Sequence, residues 1–199
     1  GLALTLGGGE VKLLDLAFAY SGFANLGVLN GEPVPAQLQK AGYRQVNPVS
    51  VLRIDDADGK IIHEYNYPTS VRVLQPEYPY LVTDILSDNA ARVLTFGPDS
   101  PLKLDRPAVA KTGTTNDWKD NWTVGYTPDL VTGVWVGNAS NEEMKRSYGS
   151  TAAAPIWHDF MIEVLKNTPK SKFEEPPGLE RVEVCAESGL KPTDLCQNR

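Results

Sequence analysis

Hydrophobic and polar residues alternate most regularly between residues 108 and 137, where the pattern predicts three strands. An apolar run, Ala108-Val-Ala, leads into Lys111, and a polar turn separates this run from residues 121–126. A second turn, Pro128-Asp129, precedes residues 130–137. Runs of this kind that are joined by short turns pair with their neighbours in the chain. We therefore expect an antiparallel meander with sheet strands at about 108–137.

The spacing of apolar residues changes to that of helices in three other segments. One helix is predicted from Glu10 to about Leu26, with Gly27 as its stop. A second is predicted from Pro76 to about Ala91, because Pro favours the first turn of a helix. A third is predicted from Pro155 to about Lys166. Its apolar stripe fits packing onto the sheet. The residues of that stripe are Ile156, Trp157, Phe160, Met161, Val164 and Leu165.

The remaining segments complete the predicted fold class. Two short apolar runs flank Asp55-Asp-Ala-Asp-Gly59, which predicts a small hairpin at about 49–65. Residues 30–47 and 92–107 contain Pro and Gly and few periodic apolar positions, so we expect them to be irregular. The sequence thus predicts an α+β fold, an antiparallel sheet with helices packed on its faces.

Composition and charge narrow the function classes. The 199 residues are 41% hydrophobic and 22% charged, which is typical of a folded globular chain. The net charge is −6 and no basic cluster is present, which argues against nucleic acid as a partner. The sequence contains no run of eighteen apolar residues, which is the pattern that would predict a membrane-spanning helix. Because Gly1 is not an initiator methionine, we interpret the chain as a piece of a longer protein.

The first predicted strand carries the candidate chemistry in Lys111-Thr112-Gly113. Glycine inside a strand weakens packing, and it often marks a place where a ligand or another backbone comes close. Lys-Thr-Gly is also the third signature of the serine acyl-transferases, which include penicillin-binding proteins and β-lactamases.

The residues around this tripeptide make the resemblance more specific. The run Lys111-Thr-Gly-Thr-Thr-Asn116, followed by Trp122-Thr-Val-Gly-Tyr-Thr-Pro-Asp129, resembles the transpeptidase domain of class A penicillin-binding proteins, which are bifunctional cell-wall synthases. The resemblance implies that residues 1–167 are the C-terminal portion of that β-lactamase-like domain, here incomplete, and that residues 168–199 form a C-terminal tail. Further matches are Val134-Trp-Val-Gly-Asn138, Leu4-Thr-Leu-Gly-Gly-Gly-Glu-Val11, Asp105-Arg-Pro107, Ala154-Pro-Ile-Trp157 and Asp159-Phe-Met161.

The resemblance also implies roles for individual residues. In that family Ser-x-x-Lys, Ser-x-Asn and Lys-Thr-Gly follow one another in the chain. Lys111 would control electrostatics and proton transfer, and the hydroxyls of Thr112 and Thr114 would bind the carboxylate of a stem peptide. The backbone N–H of Thr114 would be an oxyanion donor, and Gly113 would allow the acyl group to pass close to the strand. Further candidates for substrate binding are Thr115, Asn116 and Trp118. A role in forming the turn explains Asn116 equally well. Trp118 could equally serve to anchor the loop.

Two short segments match the other two motifs of the family, but they occur in the wrong order along the chain. Ser100-Pro-Leu-Lys103 fits Ser-x-x-Lys, and Ser87-Asp-Asn89 fits Ser-x-Asn. Here the second motif precedes the first, and Ser100 lies between Asp99 and Pro101 rather than at the start of a helix. We therefore expect the nucleophile and the true Ser-x-Asn to lie upstream of Gly1. His63 and His158 lack a partner at motif spacing and are interpreted as surface or hydrogen-bonded histidines.

The resemblance implies a part of a peptidoglycan D,D-transpeptidase that crosslinks stem peptides by serine acyl transfer and is acylated by penicillins. No metal or organic cofactor is implied. The expected partners are the upstream part of the same domain, the stem peptide and β-lactams, at the extracytoplasmic face of the bacterial membrane. Two alternatives are a non-catalytic module that binds peptidoglycan or a partner, and a β-lactamase-like hydrolase that uses Ser100.

The two cysteines, Cys185 and Cys196, either form a disulfide, which export of the protein would favour, or remain free thiols.

Overall fold

The computed structural model describes residues 2–194 and 196, which fold into the expected α+β class. The helices are α1 (Leu13–Ala24), α2 (Glu77–Ser87), α3 (Asn89–Phe96) and α4 (Ala153–Leu165). The strands are β1 (Val28–Pro33), β2 (Val46–Asn47), β3 (Arg53–Asp55), β4 (Ile61–Glu64), β5 (Thr69–Arg72), β6 (Val109–Thr114), β7 (Asp120–Tyr126) and β8 (Val131–Gly137).

The predicted meander is confirmed as the sheet β6-β7-β8, antiparallel throughout. Lys111 lies opposite Val124, and Val124 lies opposite Gly133. Opposite residues of antiparallel strands project to the same face. Lys111 and Gly113 are therefore on one face of the sheet, and Thr112 and Thr114 are on the other.

Helices cover both faces of this sheet, and glycines mark where they come close. A Cβ atom at Gly133 would lie 2.8 Å from the side chain of Leu13 in α1. On the opposite face, a Cβ atom at Gly125 would lie 2.5 Å from the ring of Trp157 in α4. Trp157 is fully buried at the centre of the core. The rest of that core is Leu102, Leu104, Ala108, Ala110, Ala154, Met161 and Leu165.

The prediction that the whole stripe of α4 packs on the sheet is wrong for half of its members. Trp157, Met161 and Leu165 are buried, because their spacing of four keeps them on one narrow side of the helix. The other three residues lie one position earlier and remain about half exposed, on the outer side of the helix. They are Ile156, Phe160 and Val164.

The other helices also depart from their predicted limits. α1 covers Leu13–Ala24, a shorter span than the predicted one, and Gly27 follows it with a φ of 87°, as expected for a helix stop. The predicted second helix is two helices that break at Asp88. The Asp88 side chain accepts hydrogen bonds from the amides of Ala90 and Ala91, so it caps a new helix. α3 therefore occupies part of the stretch 92–107 that was expected to be irregular.

A second sheet takes two of its strands, β1 and β2, from the ends of the stretch 30–47, which was expected to be irregular; between them only a short 3₁₀ turn, Ala36–Leu38, is regular. Its strand order is β2-β1-β5, and Asn30 of β1 lies opposite Ser70 of β5. A Cβ atom at Gly31 would lie 2.2 Å from the carbonyl oxygen of Asn47, so the two backbones meet where only glycine fits. The predicted hairpin is confirmed as β3 and β4.

The tail after residue 167 contacts the sheet and also α2, where the Tyr80 hydroxyl donates to the Glu175 carboxylate at 3.3 Å. The ring of Phe173 packs edge-on against Tyr126 at 5.7 Å, and the hydroxyl of Ser171 donates to Asp129. Cys185 and Cys196 form a disulfide, with Cα atoms 5.9 Å apart. The division of the chain at residue 167 stays a prediction.

Candidate active-site strand

The strand β6 is an edge of its sheet, so one side of its backbone lacks a partner strand within the described residues. The Thr115 amide donates to the carbonyl oxygen of Asp120 in β7 at 3.0 Å. Because successive amides of a strand point to opposite sides, the Thr114 N–H points to the open edge. The predicted oxyanion donor is thus directed away from the sheet.

The ammonium of Lys111 lies at the same open edge. Lys111 is exposed, and its Nζ donates a 2.7 Å hydrogen bond to the carbonyl oxygen of Thr112. This carbonyl points away from β7, as the Thr114 amide does. The arrangement places a cation and a backbone donor along one short stretch of free strand, which suits binding of an extended, negatively charged ligand.

A groove of about 200 Å³ runs along this edge, between β6 and the helices α2 and α3. Its polar lining includes Lys111, Thr112 and Arg92, and burial lowers the pKa of the Arg92 guanidinium. The apolar lining consists of Ile85, Leu86, Ala91, Phe96, Leu102 and Ala110.

Among the described residues, none packs so closely against Gly113 that it excludes a side chain. A Cβ atom at this position would meet only the Cβ of Trp122, at an ordinary contact distance of 3.6 Å. This differs from Gly125 in the neighbouring strand, where a Cβ would lie 2.3 Å from the carbonyl oxygen of Val109. The glycine at 113 is therefore not explained by the fold of the described residues.

The turn after β6 is fixed by Thr115 and Asp120. The Thr115 hydroxyl donates to the Asp120 carboxylate at 3.0 Å and accepts from the Asp120 amide at 2.8 Å. The same carboxylate accepts from the indole of Trp135 at 2.8 Å. Thr115 thus holds the turn, and its hydroxyl is already engaged within the protein.

Asn116 and Trp118 lie in a short turn of 3₁₀ helix, Asn116–Trp118, beyond the end of β6. Asp117 and Trp118 have φ values of 60° and 51°, a conformation that costs energy in residues other than glycine. The Trp118 ring packs edge-on against Tyr148, with centroids 6.4 Å apart. The structure thus gives Trp118 an anchoring contact while about a third of it remains exposed.

The polar loop between β8 and α4, which we call the rim loop, contacts the strand in ways that the sequence did not indicate. The amide of Gly149 donates to the hydroxyl of Thr114 at 3.0 Å. The carbonyl oxygen of Gly149 accepts from Thr123 at 3.3 Å, and Asn121 donates to Ser147. A glycine at the end of a polar loop was the only signal for such a close approach.

The beginning of β6 is held by buried and paired charges. The guanidinium of Arg106 is buried and donates to the carbonyl oxygen of Leu165 at the end of α4. Hydrogen bonds from Lys170 and from Arg106 lower the pKa of Asp105. At the end of β7, the hydroxyls of Tyr126 and Thr83 are 2.8 Å apart, and burial raises the pKa of Tyr126 to about 12.

The structure does not assemble the two alternative serine motifs into a catalytic site. Ser100 is buried in a turn, and its hydroxyl accepts from the Leu102 amide at 3.2 Å. Ser87 ends α2 and donates to the carbonyl oxygen of Asp84. Neither serine begins a helix that would return a lysine one turn later. His63 is exposed on β4, and His158 lies 3.2 Å from its neighbour Asp159.

Comparisons with known proteins found relatives in sequence and in overall fold. The chain is 36% identical over 194 residues to Penicillin-binding protein 1A of Aquifex aeolicus, which covers 97% of the chain and 23% of that protein. The crystal structure of Penicillin-Binding Protein 1A from Haemophilus influenzae superposes with a TM-score of 0.71 at 22% identity, over 92% of the chain and 31% of that structure.

In sequence and in fold, the chain matches one part of the class A penicillin-binding proteins. Another structure in the family, PonA1 of Mycobacterium tuberculosis in complex with penicillin V, has a TM-score of 0.63 at 26% identity, over 92% of the chain and 44% of that structure. The chain spans about a quarter of the length of the curated penicillin-binding proteins it matches. No family model matches it. Among the described residues, no helix combines the length and the apolarity that a membrane crossing requires.

Proposed function

We propose that this chain forms one wall of the active-site cleft of a peptidoglycan D,D-transpeptidase, and that the nucleophilic serine comes from the protein upstream of Gly1. The observation that carries the proposal is Gly113. It lies in an edge strand between Thr112 and Thr114, two residues after Lys111, where nothing in the described residues requires a glycine. A ligand that must approach the backbone closely accounts for it.

The reaction would be acyl transfer in two steps. The upstream serine would attack the carbonyl carbon of the penultimate D-Ala, form an ester and release the terminal D-Ala. An amine of a second strand would then attack the ester, form the crosslinking amide and return the proton to the serine oxygen. A penicillin would acylate the same serine. The complex of PonA1 with penicillin V supports this part of the proposal.

The residues of this chain would bind and stabilise rather than attack. The Thr114 amide, directed to the open edge, would donate to the oxyanion that develops on the attacked carbonyl. Thr112 and Thr114 lie on one face of β6 and would receive the carboxylate of the ligand. Lys111 would supply positive charge beside them and take part in proton transfer, which requires it to leave the Thr112 carbonyl.

Exposed apolar residues beside the groove support a packing surface for the upstream part of the domain. Leu94 of α3 is 99% exposed and Ile85 of α2 is 70% exposed, and both helices border the groove beside β6. Large apolar side chains at this level of exposure mark interaction surfaces when they cluster. We propose that the remainder of the transpeptidase domain covers them, and that an anchor in the longer protein holds the enzyme at the extracytoplasmic face of the membrane.

Fluorescent penicillin labelling of the longer protein tests the proposal through Gly113. A Gly113→Ala variant should unfold at the same temperature as wild type, because its Cβ has room, yet its labelling rate should fall by ~10-fold because the methyl group lies in the path of the ligand. Lys111→Ala should also slow labelling, whereas Lys103→Ala, an exposed lysine before the strand, should not.

Each outcome has a definite meaning. Unchanged labelling in Gly113→Ala and Lys111→Ala would overturn the proposal. A wild-type protein that is never labelled would favour the alternative of a non-catalytic module with the same fold.

A further inference from the structure

A segment of the rim loop, residues 144–149, is attached to the candidate site by hydrogen bonds at both of its ends. We call this segment the strap. At one end the amide of Met144 donates to the carbonyl oxygen of Trp118 at 3.2 Å. At the other end Gly149 donates to Thr114 and accepts from Thr123. The strap therefore has a defined position over the end of β6.

The hydrogen bond from Gly149 restricts the direction in which the Thr114 hydroxyl can donate its proton. A threonine hydroxyl has one proton to donate and two lone pairs that accept. At 3.0 Å the Gly149 amide occupies one lone pair, so the hydroxyl proton cannot point towards Gly149. The proton is left to point away from the strap. Thr114 is exposed, so the outward direction is accessible to a ligand.

We propose that Gly149 is a positioning residue: its amide orients the Thr114 hydroxyl as a hydrogen-bond donor, and the strap thereby determines selectivity for a ligand that carries a carboxylate. This inference rests on the proposed function. It adds to that proposal a residue outside the Lys-Thr-Gly motif and a reason for the selectivity. A carboxylate only accepts hydrogen bonds, so a hydroxyl that is oriented as a donor matches it.

The contact requires glycine because of space rather than backbone conformation. A Cβ atom at Gly149 would lie 2.5 Å from the carbonyl oxygen of Gly113 and 2.6 Å from that of Trp122. Both atoms belong to the backbones of paired strands, so they cannot move aside without disturbing the sheet. Gly149 is also not among the glycines with a positive φ. Any side chain here would therefore lift the strap away from Thr114.

The test compares benzylpenicillin, which carries a carboxylate, with its methyl ester, which does not. Second-order rates of acylation are measured on the longer protein that contains this chain. Wild type should prefer the carboxylate, and Gly149→Ala should reduce the ratio of the two rates by roughly tenfold, the size expected for one hydrogen bond to a charged group. A merely structural role would slow both compounds equally and leave the ratio unchanged.

Thr114→Val provides the second variant, since it keeps the shape of threonine but has no hydroxyl. It should lower the same ratio, and Gly149→Ala in addition should lower it no further, because the two residues act through one hydrogen bond. Additive effects would overturn the proposal. If Gly149→Ala does not fold, amide hydrogen exchange tests the contact between Gly149 and Thr114 instead. The Gly149 amide should lose protection from exchange in Thr114→Val, while the Met144 amide should keep its protection. An unprotected Gly149 amide in wild type would also overturn it.

Ser147→Ala is the matched control within the strap. It removes the hydrogen bond with Asn121 but leaves the pair of Gly149 and Thr114 in place, so the rate ratio should not change.

Failure of the inference is distinguishable from failure of the proposed function. If neither compound acylates wild type, the proposed function fails. If wild type prefers the carboxylate and Gly149→Ala keeps that preference, only the role of Gly149 is overturned.

Discussion

Arg106 donates a hydrogen bond of 2.7 Å to the carbonyl oxygen of Leu165, which joins the segment before β6 to the end of α4. The same guanidinium donates to the hydroxyl of Thr168 at 2.9 Å. The last carbonyl groups of a helix lack partners within the helix, and a positive charge is favourable there. Arg106 therefore stabilises the end of α4 and fixes where the strand that carries Lys111 begins.

Removing this guanidinium should destabilise the protein. Arg106→Met should lower the free energy of unfolding by about 2 kcal/mol, because buried acceptors lose a charged donor. Arg106→Lys should recover only part of this loss, since one ammonium cannot reach both partners of the planar group. Urea denaturation measures the effect. Arg53→Met on the exposed hairpin is the control and should change stability by less than about 0.5 kcal/mol; an equal loss in both variants would refute the role of Arg106.

Gly125 should not tolerate a side chain. Gly125→Ala would place its Cβ 2.3 Å from the carbonyl oxygen of Val109 and against the ring of Trp157. We expect a loss of about 2 kcal/mol, as for other overpacked cores, measured by thermal or urea unfolding. The matched control is Gly9→Ala, whose Cβ would meet only the flexible end of Leu4. A stability near that of wild type in Gly125→Ala would show that α4 does not pack as closely as described.

The stability of the protein should fall in strong alkali partly because of Tyr126. Burial raises the pKa of this phenol to about 12, above its ordinary value of 10. The unfolded chain then loses the proton first, so stability is fully present below pH 10 and declines as the pH rises towards 12. This one group accounts for at most about 1.4 kcal/mol per pH unit in that window. Tyr126→Phe should show a shallower decline in urea titrations between pH 10 and 12, and an identical slope would contradict the assignment.

Reduction of the disulfide should loosen the tail without affecting the site. Cys185 and Cys196 are eleven residues apart, and Cys185 is buried. A paired Cys185→Ser and Cys196→Ser variant should be cut faster by protease between residues 186 and 194, because an open loop samples more conformations. Penicillin labelling of the longer protein should keep its wild-type rate. Slower labelling would indicate that the tail supports the Lys111 strand.

The parts of the fold that could be predicted from sequence depend on local pattern. The alternation around Trp122 and Trp135 determines both the strands and their register, since a shift by one residue would exchange the faces of the sheet. The second sheet was missed because Asn30 pairs with Ser70, forty residues away, and its short strands lack alternation. The break at Asp88 was missed because an apolar helical pattern continues past a capping residue.

In the candidate site, too, the sequence identified the residues of one local motif but not the contact between distant residues. Lys111, Thr112 and Thr114 lie on one short strand, so a motif in consecutive residues identifies them. The contact of Gly149 with Thr114 joins residues 35 positions apart through a loop without periodicity. Nothing in the local sequence around Gly149 indicates which strand the loop approaches. The pairing becomes visible only when the two backbones are placed together.

The most direct test of the account is to locate the residue that penicillin acylates. The chain alone and the longer protein are incubated with fluorescent penicillin, and the adduct is identified by intact mass and peptide mapping. We predict an adduct only in the longer protein, on a serine upstream of Gly1. An adduct on Ser100 or Ser87 in the chain alone would contradict the central claim, because this chain would then supply its own nucleophile.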